Sequence, residues 1–181
     1  MKKLILFTLI LSLVLAMPSL AEADEPVRID WSKEVEQAFV DAGFVGTQYT
    51  LHGVGCQLII PDSYVEQTIT DEDLAHELVF HYADEETGGK IQVYDSIIDS
   101  CDDLAGLGEM LKAQYPDRLV QHVVINGVAA IINASEELDT ANVIFDMGEH
   151  RFVQIVFSPM SKANQLLTLC IASIQFPASE E

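Results

Sequence analysis

The sequence predicts an α+β fold: a mainly antiparallel sheet of about six to seven strands with about three helices packed against it. Two observations carry this. Apolar residues alternate in several short runs joined by glycine turns, which is the pattern of hairpin-connected strands. Three separate stretches instead repeat their apolar residues at helical spacing, and they do not alternate regularly with the strands.

The chain opens with Met1-Lys2-Lys3, runs through an uncharged apolar stretch from Leu4 to Ala16, and reaches Pro18 and the small residues Ser19, Ala21 and Ala23. That order is the one of a cleavable secretory signal, and the apolar part is too short for a membrane-spanning helix. Cleavage after Ala21 or after Ala23 satisfies the small-x-small rule, and the polar Asp24-Glu25-Pro26 favours Ala23. The expected organisation is a signal peptide over 1–23 and one domain over 24–181, secreted from a bacterial cell. No cysteine lies beside the cleavage region to take a lipid, so the mature protein is expected to be untethered and not inserted in the membrane.

From Trp31, the residues Val35, Ala38, Phe39 and Ala42 form one helical face, with Asp30 or Ser32 as cap and Gly43 as stop. Val45–Leu51 and Cys56–Ile60 read as strands joined by the glycine turn His52-Gly53-Val54-Gly55. Glu77–Tyr82 and Lys90–Asp95 read as a hairpin closed by Gly88-Gly89. Ser100-Cys101-Asp102-Asp103 resembles a capping box before a helix bearing Leu104, Leu107, Leu111 and Tyr115, which Pro116 stops. Leu119–Ile125 and Val128–Asn133 flank Asn126-Gly127, whose residues accept the positive φ of a two-residue turn. Asn142–Asp146 and Arg151–Phe157 read as the last strands. Ser161 then stands as cap of a third helix with the stripe Leu166, Leu167, Cys170, Ile171 and Ile174.

Nine Lys and Arg stand against 29 Asp and Glu, a net charge of −20. Losing Lys2, Lys3 and Glu22 with the leader makes this about −21, which repels phosphate backbones and anionic headgroups. Nucleic acid and membrane surfaces are therefore poor partners. Cys56, Cys101 and Cys170 are an odd number at wide spacing, no disulfide framework. Cys170 reads as a core residue, and Cys56–Cys101 is the pair to name if one bridge forms.

No catalytic residue, cofactor or metal ligand set is assigned. His52 precedes Cys56 by four residues and can be read as the base of a thiol, but a turn histidine beside a strand cysteine is commoner, and Gly53-Val54-Gly55-Cys56-Gln57 lacks the second glycine of a nucleophile elbow. The histidines His52, His76, His81, His122 and His150 form no zinc motif. Asp71-Glu72-Asp73, Asp84-Glu85-Glu86 and Asp99–Asp103 supply hard oxygen ligands for calcium without matching a calcium loop, and acidic caps and turns account for them.

The order of elements resembles the PsbP-like fold group, which includes a photosystem oxygen-evolving subunit, bacterial secreted proteins and a Ran-binding nuclear import factor. The resemblance rests on Ile59-Ile60-Pro61 with Tyr64, the hairpin from Asp84-Glu85-Glu86 to Ile91-Gln92-Val93, and the helix after Ser100. Ile125-Asn126-Gly127-Val128-Ala129-Ala130, the strand Arg151–Phe157 and the closing helix extend it. It implies a non-catalytic binding or structural domain recognising a protein or envelope component, and it carries over no functional residue. The alternative is a secreted hydrolase, or a small-ligand or calcium binder, using acidic cleft residues.

Overall fold

A computed structural model of the chain describes residues 26–41, 43–161 and 164–176, with backbone only at 164–166. The expected signal segment, Ala42, the side chain of Leu166 and the acidic tail lie outside the described residues. Ten strands and four helices are described: β1 (Val27–Ile29), α1 (Lys33–Asp41), β2 (Gly46–Leu51), β3 (Cys56–Pro61), β4 (Val65–Glu66), α2 (Asp71–Ala75), β5 (Leu78–Asp84), β6 (Gly89–Ile97), α3 (Leu104–Gln114), β7 (Leu119–Ile125), β8 (Val128–Ser135), β9 (Thr140–Asp146), β10 (Arg151–Ser158) and α4 (Asn164–Ala172).

Eight strands form one sheet in the order β1-β7-β8-β9-β10-β6-β5-β4, and β2-β3 stands apart as a hairpin. Every described pairing is antiparallel except β1 with β7. The expectation of α+β architecture with a mainly antiparallel sheet holds. The element count is larger than about seven strands and three helices: eight of the ten strands coincide with runs read from the sequence, while β1, β4 and α2, with three, two and five residues, cannot display a period. The β2–β3 hairpin leaves the sheet because its apolar residues Leu51, Cys56, Leu58 and Ile60 are buried against the sheet's own Ile91, Val93, Val143, Phe145 and Ile155. It is tied there by a two-bond bridge between Gln57 and Gln175 and by the Ser173 hydroxyl, which accepts from the Ile59 N–H at 2.8 Å.

The sheet therefore has two unlike faces. One is covered by the hairpin and by α4, whose Leu167, Cys170 and Ile171 complete the main core. The other carries Ile131, Ile144 and Phe152, against which α3 packs Leu107 and Leu111. Each fully buried side chain of this kind contributes roughly 1.5–3 kcal/mol.

Local chemistry sets the connections. α1 begins at Ser32, whose hydroxyl accepts from the Val35 N–H, and ends in a Schellman turn: Gly43, at φ +77°, donates to Val40 and Phe44 donates to Phe39. Phe39 packs on both Trp31 and Phe44, closing that motif with apolar contact. The Asn126-Gly127 turn has both φ angles positive, as expected. Asn126 does more than turn the chain: its side chain accepts from the Trp31 N–H at 2.6 Å and donates to the carbonyls of Ala172 and Ile174, joining β1, the β7–β8 turn and the end of α4.

Two expected caps differ. α3 starts at Asp103, whose carboxylate accepts from the Gly106 N–H at 2.8 Å, rather than at Ser100. Ser161 gives its N–H and its hydroxyl to the Asp139 carboxylate. The Cys56–Cys101 pairing is overturned: all three thiols are free, and the sheet separates Cys56 in the main core from Cys101 under α3.

Candidate functional site

The second face of the sheet is only partly covered. α2 lies against β5 at one side and α3 against β7 and β8 at the other. Between them, strand alternation brings up polar side chains. The register puts His81, Gln92, Val156, Asn142 and Asn133 directly opposite one another across β5, β6, β10, β9 and β8. In the next rank, Tyr94 and Gln154 lead into Ile144 and Ile131, which α3 covers.

Among the described residues, three buried side-chain atoms lack a hydrogen-bond partner: His81 Nε2, Asn133 Oδ1 and Asn142 Oδ1. All three belong to that one rank. Burying a donor or acceptor without a partner costs about 1–3 kcal/mol, so three such atoms in one rank are a concentrated local cost. Asn133 is 3% exposed, so its amide is shielded from bulk water.

An open groove of about 350 Å³ shares Asn142 and Val156 with this rank and is floored by them and by Tyr94, Ser96, Thr140 and Gln154. Glu77, which connects α2 to β5, walls it on one side, and Arg118 and Leu138 on the other. It continues past Arg118 and Leu138 into a recess of about 460 Å³ bounded by Tyr115, Pro116, Asp117, Ser135, Glu136 and Glu137. The Arg118 guanidinium sits over the Tyr115 ring at 3.9 Å. Burial, with the nearby Asp73 charge, pushes the Tyr94 hydroxyl pKa up, so it is a neutral donor and acceptor. Burial likewise lowers the pKa of His81, aided by Lys90 and opposed by Asp73.

The residues singled out from sequence fall elsewhere. Cys56 lies in the main core, where desolvation pushes its thiol up to about 12, the wrong direction for a nucleophile. Cys170 is likewise a core thiol pushed up to about 12 by burial. Cys101 is followed by Asp102, which pairs with His150 at 3.7 Å, a set that invites a triad reading. The geometry denies it: His150 Nδ1 is at the Cys101 carbonyl oxygen, 2.9 Å away, while the thiol contacts Met110 at 3.7 Å.

The acidic clusters serve the backbone. Asp73 closes a capping box with Thr70, and the Thr70 hydrogen bonds hold its pKa down. Asp84, buried, accepts from the Thr87 hydroxyl, the N–H groups of Glu86 and Thr87, and the Ser63 hydroxyl. Its pKa is lowered, first by the Thr87 hydroxyl. Both shifts run opposite to a general acid's. Among the described residues no three His, Cys, Asp or Glu side chains converge in a metal-ligating group.

The groove residues were missed from sequence. Their signal, polar residues at alternate strand positions, is also the signature of an ordinary solvent-facing sheet surface, and only the register shows that the orphaned atoms align.

No protein-family profile and no curated protein matches the chain. Among solved structures, the cyanobacterial PsbP of Synechocystis sp. PCC 6803 is similar over 72% of this chain and 92% of its own, with a TM-score of 0.50 and 11% identity. The Ran-binding protein Mog1p of Saccharomyces cerevisiae matches over 74% of this chain and 96% of its own, at TM-score 0.44 and 11% identity. A Bacteroides thetaiotaomicron protein matches over 75% of this chain and 50% of its own, at TM-score 0.47 and 12% identity. The fold of this chain is PsbP-like.

Proposed function

We propose that this protein is a secreted bacterial binding domain without catalytic activity, and that it recognises a protein or envelope component through the groove on its half-covered sheet face. The observation that carries the reading is the groove on that face, one of whose floor residues, Asn142, belongs to the rank of buried, unpartnered polar atoms. Departures of this kind from full hydrogen bonding concentrate at functional sites. The leader-like first 23 residues support export. No helix among the described residues is long and apolar enough to cross a membrane.

The test is affinity capture from the host's envelope and medium with brief cross-linking, followed by mapping of the cross-links. A reproducible partner cross-linked beside Glu77, Arg118 or Leu138 is expected. A partner mapped to the β2–β3 hairpin would refute the groove, and turnover of a substrate by the purified protein would refute the non-catalytic reading.

A further inference from the structure

We infer that the free edge of β2 pairs with the same edge of a second copy of this chain, giving a two-fold dimer with a continuous four-stranded sheet in the order β3-β2-β2-β3. This surface lies on the hairpin, across the sheet from the groove, and is independent of the groove reading.

Strand edges differ in how they are protected. The eight-stranded sheet ends in β1, three residues with Arg28 among them, and β4, two residues with Glu66. Shortness and charge are the ordinary defences of an edge. The outer side of β3 is closed by Gln175 and Ser173. β2 has six residues, no charge, no proline and no shift of register, and it is exposed at Gly46, Thr47, Gln48 and Thr50. Among the described residues, no strand pairs with its outer side.

The register shows which groups that side offers. Gln57 donates its N–H to Gln175 and Ile59 donates to Ser173, both away from β2. Their partners across the hairpin, Thr50 and Gln48, therefore aim N–H and C=O away from β3, and so does Gly46 opposite Pro61. Val45, one residue earlier, faces the other way and accepts from the Asp62 N–H at 3.1 Å. The outward set Gly46, Gln48 and Thr50 is symmetric about Gln48. A two-fold axis there sets Gly46 against Thr50, and Gln48 against its own counterpart, each pair exchanging two bonds, about six in all. The Thr50 carbonyl, which also takes the His52 N–H at 3.2 Å, has a second lone pair for this. Gly46 brings no side chain against Thr50, and an amide that both donates and accepts suits a second Gln48 amide. The same register sets Val45, 67% exposed, opposite Leu51 of the other copy.

Charge selects the occupant. Positions 42–61 contain no Asp, Glu, Lys or Arg, in a chain of net charge −20. The edge therefore holds no counter-charge along its length for a basic strand, whereas its own neutral sequence meets it with no like charges opposed. Repulsion between the two acidic bodies remains and the contact is short, so the dimer is weak and concentration-dependent.

The test is analytical ultracentrifugation of the intact protein, with exchange of single amide hydrogens read by NMR. The protein should be mostly monomer at about 1 μM and mostly dimer at about 1 mM. At the higher concentration the Gly46, Gln48 and Thr50 amides should exchange more slowly, while those of Thr47 and Tyr49, which face β3, should not change. Raising salt from about 0.05 M to about 0.5 M should tighten the dimer, since it screens only repulsion. Gln48→Glu and Gln48→Lys should each weaken it about two- to fivefold by opposing like charges at the axis, and an equimolar mixture of the two should restore it. Ala113→Glu, exposed on α3, should leave it unchanged.

A protein still monomeric at about 1 mM, a dimer whose slowed amides lie elsewhere, weakening by salt, or a mixture no tighter than either variant alone would overturn the inference. Slowing of these amides only when host envelope extract is added would give the edge to a foreign strand and overturn it equally.

Discussion

Replacing Asn133 by valine should stabilise this protein. Asn133 sits mid-strand in β8, between Val120 of β7 and Asn142 of β9, at 3% exposure, with its amide oxygen buried and unpartnered. Relieving that orphaned acceptor is worth about 1–3 kcal/mol. Valine is near in size and favours a strand interior, a gain of up to about 1 kcal/mol, while any bond made by the amide nitrogen would be lost at about 0.5–1.5 kcal/mol. The net is about 1–2 kcal/mol of added stability, or a Tm rise of about 2–8 °C for a domain of this size. Most substitutions of buried residues go the other way, so the sign alone is informative. Thermal unfolding followed by circular dichroism checks the sign and the size. A Tm lowered by several degrees would mean that the Asn133 oxygen is satisfied in the native state, and the reasoning that locates the site would fail.

Other consequences follow from the same geometry. Gly89→Ala should destabilise by about 1–3 kcal/mol in urea unfolding, the cost of overpacking, because an added Cβ would collide with the buried Tyr64 ring and its hydroxyl. Asp84 titrates below its unfolded value near about 3.9, so its contribution is complete above that pH and is lost as pH falls through the lower folded value. Asp84→Asn should flatten that acid limb in stability measured from pH 6 to about 2. The thiols of Cys56 and Cys170 should resist alkylation in the native protein at pH 8 and react fully in denaturant, since burial holds both at about 12. Arg151→Lys should lower stability by about 1 kcal/mol, because it breaks the bidentate pair with Asp95 (2.7 and 2.8 Å) and the bond to the Gly53 carbonyl, in a partly solvated setting.

The fold was legible where periodicity ran long enough to show. The Asn126-Gly127 hairpin and the stripes of α3 and α4 were readable as local pattern, and the PsbP-like order of elements followed from them. β1 and α2 were not, since three or five residues hold no period and their formation depends on pairing with Val123–Ile125 and on the Thr70–Asp73 capping box. The hairpin's departure from the sheet was invisible for a different reason: alternation specifies a buried face without saying which partner buries it. The site was less legible still. Acidic runs and cysteines drew notice in the sequence, yet they are caps, turns and core. Asn133, Asn142 and His81 lie 9 to 61 positions apart and become one feature only through a register spanning five strands.

The most direct test of the central claim is chemical footprinting of the intact protein, with carboxyl and tyrosine labelling, in the presence and absence of host envelope extract. The groove account predicts that Glu77 and Tyr94 lose reactivity when the extract is added, while Tyr49 on the β2–β3 hairpin keeps its own. Protection of Tyr49 with unchanged labelling at Glu77 and Tyr94 would contradict it.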